Sequence, residues 1–190
     1  MIFIGKAHYV QKGDWILVPG ASGGVGLWLC QLLKAVGARV IGTASTAEKM
    51  KLATGNGADF ILNYSNDNIL ERVMEITKGE GVAAVFDSVG ASTFEIGIQA
   101  LSRDGTMVSY GNTSGSVPPF QITELSAKNL KLMRPSVFGT YPGSRFLLIW
   151  GVPQRKFLLR HHSLSKCFLL RHLLSRHVSG ATTPNPPQKK

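Results

Sequence analysis

Apolar and polar positions follow two alternating periods along the first 140 residues of this chain. Short apolar runs, which are typical of strands buried in a parallel sheet, are separated by longer stretches with helical spacing. The predicted strands are WILV, ARVIGTA, DFILN, VAAVFD, TMVSYG and NLKLMRPSVFG. The predicted helices are LWLCQLLKAVG, TAEKMKLATGNG, NDNILERVMEITKGEG and STFEIGIQALSRDG. This alternation predicts an α/β fold with a doubly wound, mostly parallel sheet.

A glycine-rich stretch, GASGGVG, joins the first predicted strand to the first predicted helix. Its glycines at 20, 23 and 26 would allow a tight turn, a close approach of the backbone to a pyrophosphate, and close packing of the helix on a Rossmann-like sheet. The spacing differs from the commonest dinucleotide motif, so an ordinary strand-to-helix turn remains the alternative. The helix is predicted to bury the apolar positions that recur at helical spacing, which are Val25, Leu29, Leu32 and Val36.

The residues after the second predicted strand bear on the choice of cofactor. Enzymes that prefer NAD usually place an acid about twenty residues past the glycines, to hold the ribose hydroxyls. The chain has no acid there, whereas Ser45 and Lys49 would suit a 2′-phosphate through charge-assisted hydrogen bonds. This favours NADPH over NADH. The alternative is that Ser45 caps the following helix and that Lys49 is a solvated charge, its field weakened by Glu48.

Ligands of doubly wound sheets bind at the carboxyl ends of the strands. The residues that fall at such ends are Gly20, Ser45, Tyr64, Asp87, Ser88, Gly111 and Asn112. Three groups invite a catalytic interpretation, but each has a simpler structural one: His8 in a loop, Tyr110 at a strand end, and Asp87 bonding nearby N–H groups. We therefore assign no catalytic residue and no metal ligand.

Several of these stretches together resemble the nucleotide-binding domain of the zeta-crystallin type NADPH:quinone oxidoreductases, a zinc-independent group of the medium-chain dehydrogenases/reductases. They are GDWILVPGASGGVGLWLCQLLKAVGARVIGTASTAEK, FDSVG, SYGNTSG and RPSVFG. The resemblance runs from about His8 to about Gly139. It implies NADPH as the hydride donor and a quinone or another conjugated carbonyl as the acceptor.

The resemblance also implies roles for particular residues. The pyrophosphate would be held by Ser22, Gly23, Gly24 and Val25, and the 2′-phosphate would be surrounded by Ser45, Lys49 and Tyr64. Gly111 and Asn112 would lie along the nicotinamide half. Members of this group pair their edge strands into a dimer-wide sheet, which implies a homodimer contact near Leu130–Val137.

The chain departs from the group at its start. These enzymes carry a barrel-like catalytic domain ahead of the nucleotide domain, and residues 1–139 leave no room for it. We therefore expect a truncated form that lacks the walls of the nicotinamide pocket and any zinc ligands. Two hypotheses follow for residues 1–139, a reductase that needs parts from elsewhere and a non-catalytic NADPH-binding fragment.

Residues 140–190 form a second, different segment. Residues 141–190 contain nine Lys and Arg but no Asp or Glu, although the whole chain has a net charge of +10. The basicity therefore belongs to this tail, and we expect no nucleic-acid or membrane partner of the folded part. A tail that binds RNA or an acidic membrane surface is the third hypothesis. We favour a foreign continuation from a shifted reading frame or retained intervening sequence, partly disordered at its proline-rich end.

The chain has two cysteines, too few for a disulfide framework. The stretch MIFI lacks the features of a secretory signal. These observations predict a cytoplasmic location.

Overall fold

A computed structural model of the protein describes residues 3–135, which contain a parallel sheet with helices on both faces. The strands are β1 (Trp15–Val18), β2 (Arg39–Ala44), β3 (Phe60–Asn63), β4 (Val82–Asp87), β5 (Leu101–Ser109) and β6 (Lys131–Met133). The α-helices are α1 (Gly24–Val36), α2 (Ala47–Gly55), α3 (Ile69–Ile76) and α4 (Phe94–Ala100). A short π-helix (Phe3–Ala7) and a 3₁₀ helix (Ile122–Lys128) complete the secondary structure.

The sheet has the order β3-β2-β1-β4-β5-β6, and every pair of neighbours is parallel. This is the strand order of a Rossmann-type fold, in which the chain changes direction across the sheet between β1 and β4. The predicted doubly wound α/β fold is confirmed. The predicted tail and the last part of the predicted dimer strand, residues 136–190, lie outside the described residues, and the domain boundary at residue 139 stays a prediction.

The strands β1 to β5 send side chains to two separate apolar clusters on opposite faces of the sheet, as the period of two requires. On one face, α1 and α2 cover Ile16, Val40 and Phe86. On the other face, α3 and α4 cover Leu17 and Val85 among others. The continuous apolar runs in the sequence therefore reflect strands that are buried on both sides.

The structure corrects the predicted end of the fourth helix. The stretch STFEIGIQALSRDG was expected to be helical throughout, but α4 ends at Ala100 and β5 starts at the next residue. Leu101 is fully buried and pairs with Val82, so packing favours the strand. The register then shifts, so that Ala84 pairs with Thr106. Asp104 lies in the stretch of β5 where the register shifts, and it has a left-handed backbone with a φ of 62°.

The buried face of α1 also differs from the predicted one. Leu29 is buried as expected, but the other large buried side chains are Cys30 and Leu33, whereas Val25 is 37% exposed. Gly26 lies so close to the backbone of the glycine turn that it fixes the rotation of the helix. None of the helices in residues 3–135 has the length and apolar character needed to cross a bilayer.

Candidate functional site

The glycine turn after β1 is shaped by close backbone contacts. Gly20 has a φ of 68°, a left-handed conformation that favours glycine. Its N–H donates to the Thr43 hydroxyl at 3.2 Å, and the Ala21 N–H donates to the Thr43 carbonyl at 3.0 Å. A Cβ on Gly26 would lie 2.5 Å from the Gly20 carbonyl oxygen. The glycines therefore bring the start of α1 tightly against the turn.

The first turn of α1 is left open for an anion. Gly23 is the N-cap residue, so no side chain caps the helix, and the first turn contains no acid. Ser22 is half-buried, and residues Gly23, Gly24 and Val25 are exposed. Backbone N–H groups and the positive end of the helix dipole favour a phosphate at such a place. Their positions fit the pyrophosphate role that the resemblance implies for these four residues.

The ends of β2 and β3 place Ser45, Lys49 and Tyr64 at the same edge of the sheet; we call these three residues the adenosine end. The Lys49 ammonium donates to the Ser45 hydroxyl at 3.4 Å. Tyr64 is 56% exposed, and its N–H donates to the Ala44 carbonyl at 3.3 Å. Lys49 and Tyr64 are exposed and Ser45 is half-buried, so this edge offers one positive charge and two hydroxyls, which fits a 2′-phosphate.

The helix cap at the adenosine end differs from the alternative considered above. Thr46, rather than Ser45, is the N-cap of α2, and its hydroxyl accepts from the Lys49 N–H at 3.3 Å. Ser45 is therefore available to a ligand. The pKa of Glu48 is lowered by its backbone hydrogen bond and by the Thr46 hydroxyl, so this carboxylate is engaged at the start of the helix.

Two loops, residues 88–93 after β4 and 110–115 after β5, interlock at the same edge; we call them the interlocked loops. The Ser88 carbonyl accepts from the Thr113 hydroxyl at 2.9 Å, and the Val89 carbonyl accepts from the N–H and the hydroxyl of Ser114 at 2.8 and 2.9 Å. A Cβ on Gly111 would lie 2.3 Å from the Ser88 carbonyl oxygen. Gly111 and Asn112 are thus held in place by the neighbouring loop.

Asp87, the last residue of β4, accepts hydrogen bonds from the first of the interlocked loops. Its fully buried carboxylate accepts from the Val89 N–H at 2.8 Å, from the Gly90 N–H at 3.3 and 3.4 Å, and from the Thr93 hydroxyl at 2.9 Å. Burial raises the pKa of Asp87, and these hydrogen bonds oppose the rise. All these partners belong to the loop itself, so the contacts are those of a structural group.

His8 and Tyr110 likewise make structural contacts. His8 Nδ1 shares a hydrogen bond with the Thr106 hydroxyl at 3.0 Å, and burial lowers its pKa. The ring of Tyr110 packs on Phe3 with centroids 4.6 Å apart, and burial raises its pKa to about 12. Within residues 3–135, no three His, Cys, Asp or Glu side chains come together to hold a metal ion.

One residue at this edge, in the stretch RPSVFG, was given no role in the site by the sequence analysis. Arg134 follows β6 and donates to the Ser109 hydroxyl at 2.8 Å and to the Asn112 side-chain oxygen at 3.0 Å. These partners are 25 and 22 residues away in the chain. Pairing of β5 with β6 creates the contact. Hydrophobic periodicity within one segment does not show which strands are neighbours, so it could not predict this contact.

Comparison with known proteins agrees with this geometry. The family model of the zinc-binding dehydrogenases matches residues 24–147. A probable quinone oxidoreductase of Schizosaccharomyces pombe is 45% identical over 140 residues, which cover 74% of this chain and 42% of the relative.

Two solved structures are also similar. A mycobacterial protein complexed with NADPH has 43% identity and a TM-score of 0.70, over 73% of this chain and 43% of that one. The Escherichia coli quinone oxidoreductase complexed with NADPH has 32% identity and a TM-score of 0.72, over 94% and 58%. The chain therefore spans about two fifths of the length of the curated relative above. It belongs to the zinc-binding dehydrogenase family, as a member related to the quinone oxidoreductases.

Proposed function

We propose that this chain is the NADPH-binding part of a quinone oxidoreductase. The observation that carries the proposal is the open first turn of α1, at the same sheet edge as a lysine and a hydroxyl and without a carboxylate at the end of β2. A carboxylate there would bind the ribose hydroxyls of NAD and repel a 2′-phosphate. Two similar structures carry NADPH, which supports the same choice.

In this proposal, three groups of residues at the carboxyl ends of the strands each bind a different part of NADPH. Residues Ser22, Gly23, Gly24 and Val25 bind the pyrophosphate through the start of α1. Lys49, with Ser45 and Tyr64, holds the 2′-phosphate by charge and hydrogen bonds. Gly111 and Asn112 border the nicotinamide half. When bound, NADPH supplies a hydride that a quinone or another conjugated carbonyl accepts.

The acceptor and the assembly belong to the proposal as well. The names of the relatives support a quinone-like acceptor. Leu132 and Met133 are 42% and 38% exposed on the edge strand β6, which supports a homodimer contact there. A cytoplasmic location is supported by the two cysteines of the chain, of which Cys30 is a free thiol.

Titration of the full 190-residue chain with NADPH and NADH tests the cofactor. We expect Lys49→Ala to weaken NADPH binding by tenfold or more, since a charge-assisted hydrogen bond contributes about 1.5–3 kcal/mol. NADH binding should stay unchanged. Lys51→Ala is the matched control, because it removes the same charge from an exposed position of the same helix. An equal loss for both nucleotides, or the same loss in Lys51→Ala, would refute the 2′-phosphate site.

Addition of a quinone to the NADPH-bound chain then separates the two candidate roles. Oxidation of NADPH, followed by its absorbance, would show a reductase. Tight binding without oxidation would show the non-catalytic fragment. No binding by the folded chain would refute both.

A further inference from the structure

Arg134 is an exposed residue that makes an unusual set of contacts. A single guanidinium nitrogen, Nη1, donates to the Ser109 hydroxyl at 2.8 Å, to the Asn112 Oδ1 at 3.0 Å and to the Gly111 carbonyl at 3.4 Å. These acceptors all lie at the end of β5 and in the loop that follows it. The charge of Arg134 is therefore directed onto one short turn.

The sheet register explains how Arg134 reaches this turn. Parallel pairing sets Thr106 opposite Lys131, Met107 opposite Leu132 and Val108 opposite Met133. One step further along both strands brings Arg134 beside Ser109. The arginine thus holds the turn from the β6 side, while the loop after β4 holds it from the other side.

The contact also determines which polar atom of the Asn112 side chain faces Arg134. A guanidinium can only donate, so it requires the side-chain oxygen of Asn112 to face it. The amide nitrogen, Nδ2, is then left to donate elsewhere. A ligand at this place would meet a hydrogen-bond donor rather than an acceptor.

We propose that Arg134 is a positioning residue, which fixes the Gly111–Asn112 turn and orients the Asn112 amide to donate to the nicotinamide half of the cofactor. The inference rests on the proposed function and adds a residue to it. Arg134 does not touch the cofactor in this proposal, and it acts through the turn.

The test compares two ligands on the full chain by calorimetry, NADPH and 2′,5′-ADP, which carries the adenosine half alone. We expect Arg134→Met to weaken NADPH binding about tenfold, equivalent to about 1.4 kcal/mol, and to leave 2′,5′-ADP binding unchanged. Arg134→Lys should restore NADPH binding to within about threefold, because an ammonium has three donors for the three acceptors. Arg103→Met is the charge-matched control on the same sheet, and we expect it to bind both ligands normally.

A second measurement needs no ligand. Amide hydrogen exchange in residues 109–115 should be faster in Arg134→Met than in the wild type and should return in Arg134→Lys. Unchanged exchange, normal NADPH binding by Arg134→Met, or an equal loss for both ligands would overturn the inference while the wild type still binds. Failure of the folded wild type to bind either ligand would instead overturn the proposed function, and with it the assigned role of Arg134.

Discussion

The interlocked loops and the adenosine end lie at one edge of the same sheet but are built differently. The hydroxyls of Thr113 and Ser114 donate hydrogen bonds that tie the interlocked loops together, the Asp87 carboxylate accepts from the Val89 N–H, and glycines let the loop backbones approach closely. The adenosine end is joined by one side-chain contact, Lys49 to Ser45 at 3.4 Å. One region is organised before any ligand arrives, and the other depends on a long side chain that the ligand must order.

This difference suggests separate roles for the two regions in ligand binding. A preorganised turn loses little conformational entropy on binding and can set the position of a ligand. A lysine loses rotamer freedom when it binds, but its charge discriminates between a phosphate and a hydroxyl. We therefore expect the interlocked loops to govern geometry and the adenosine end to govern the choice between NADPH and NADH.

The largest expected effect comes from Gly111→Ala in the interlocked loops. The new methyl group would clash with the backbone of Ser88, which cannot move away without breaking the loop contacts. We expect a loss of about 3 kcal/mol in the free energy of unfolding, at the upper end for overpacking. Urea denaturation of the full chain measures it.

Gly55→Ala is the matched control, since a Cβ at Gly55 in α2 meets nothing within 4 Å. It should be neutral or stabilise the protein by up to about 1 kcal/mol. Similar losses in the two variants would remove the contrast between a tightly packed and an open region.

An intermediate effect is expected for Asp87→Asn. The amide cannot accept all the hydrogen bonds that the carboxylate accepts, so we expect a loss of about 2 kcal/mol in stability at pH 7. Measurement of urea unfolding for both proteins between pH 3.5 and 7 also tests the electrostatics.

The sign of the pH dependence follows from the direction of the pKa shift. Burial raises the pKa of Asp87 above its ordinary value of 3.8, so the folded state binds the proton more readily than the unfolded chain. The stability of the wild type relative to Asp87→Asn should therefore fall as the pH rises through the window above 3.8. A rise instead would mean that the hydrogen bonds outweigh burial.

The smallest effects on stability are expected from a serine-to-alanine substitution made once in each region. Ser114→Ala removes a hydroxyl that donates to the Val89 carbonyl and accepts from the Ser92 N–H, so we expect a loss of about 1 kcal/mol in stability. Ser45→Ala should change stability by less than about 0.5 kcal/mol and weaken NADPH binding about threefold. Thermal unfolding and nucleotide titration measure the pair. A reversed order of the two stability losses would contradict the comparison.

The sequence was sufficient for the α/β class and for the first four strands, and it placed Ser45, Tyr64 and Gly111 at the ends of strands. Period and flanking glycines identified the runs that became β1 to β4, because each strand is continuous and apolar. The helix-to-strand change at Leu101 was missed, since the apolar residues before it fit a helix and only the pairing with Val82 decides. The buried face of α1 was misjudged because backbone packing at Gly26 sets the rotation of the helix.

The site itself divides in the same way. Ser45 and Lys49 are four residues apart, so local spacing was enough to place them together. The partners that fix the Gly111–Asn112 turn are Ser88, directly after β4, and Arg134, directly after β6, and both are more than 20 residues away in the chain. Such contacts follow from strand order and register, which no local pattern contains.

Cys30 in α1 bears on the chemistry of the proposed acceptors. Quinones and conjugated carbonyls are electrophiles that arylate or alkylate thiolates, and the thiolate is the reactive form of cysteine. Burial raises the pKa of Cys30 to about 11. At pH 7 the Cys30 thiol is then protonated, and the fully buried sulfur is also out of reach. The packing of α1 on the sheet thus protects the domain from covalent damage by the molecules that it would help to reduce.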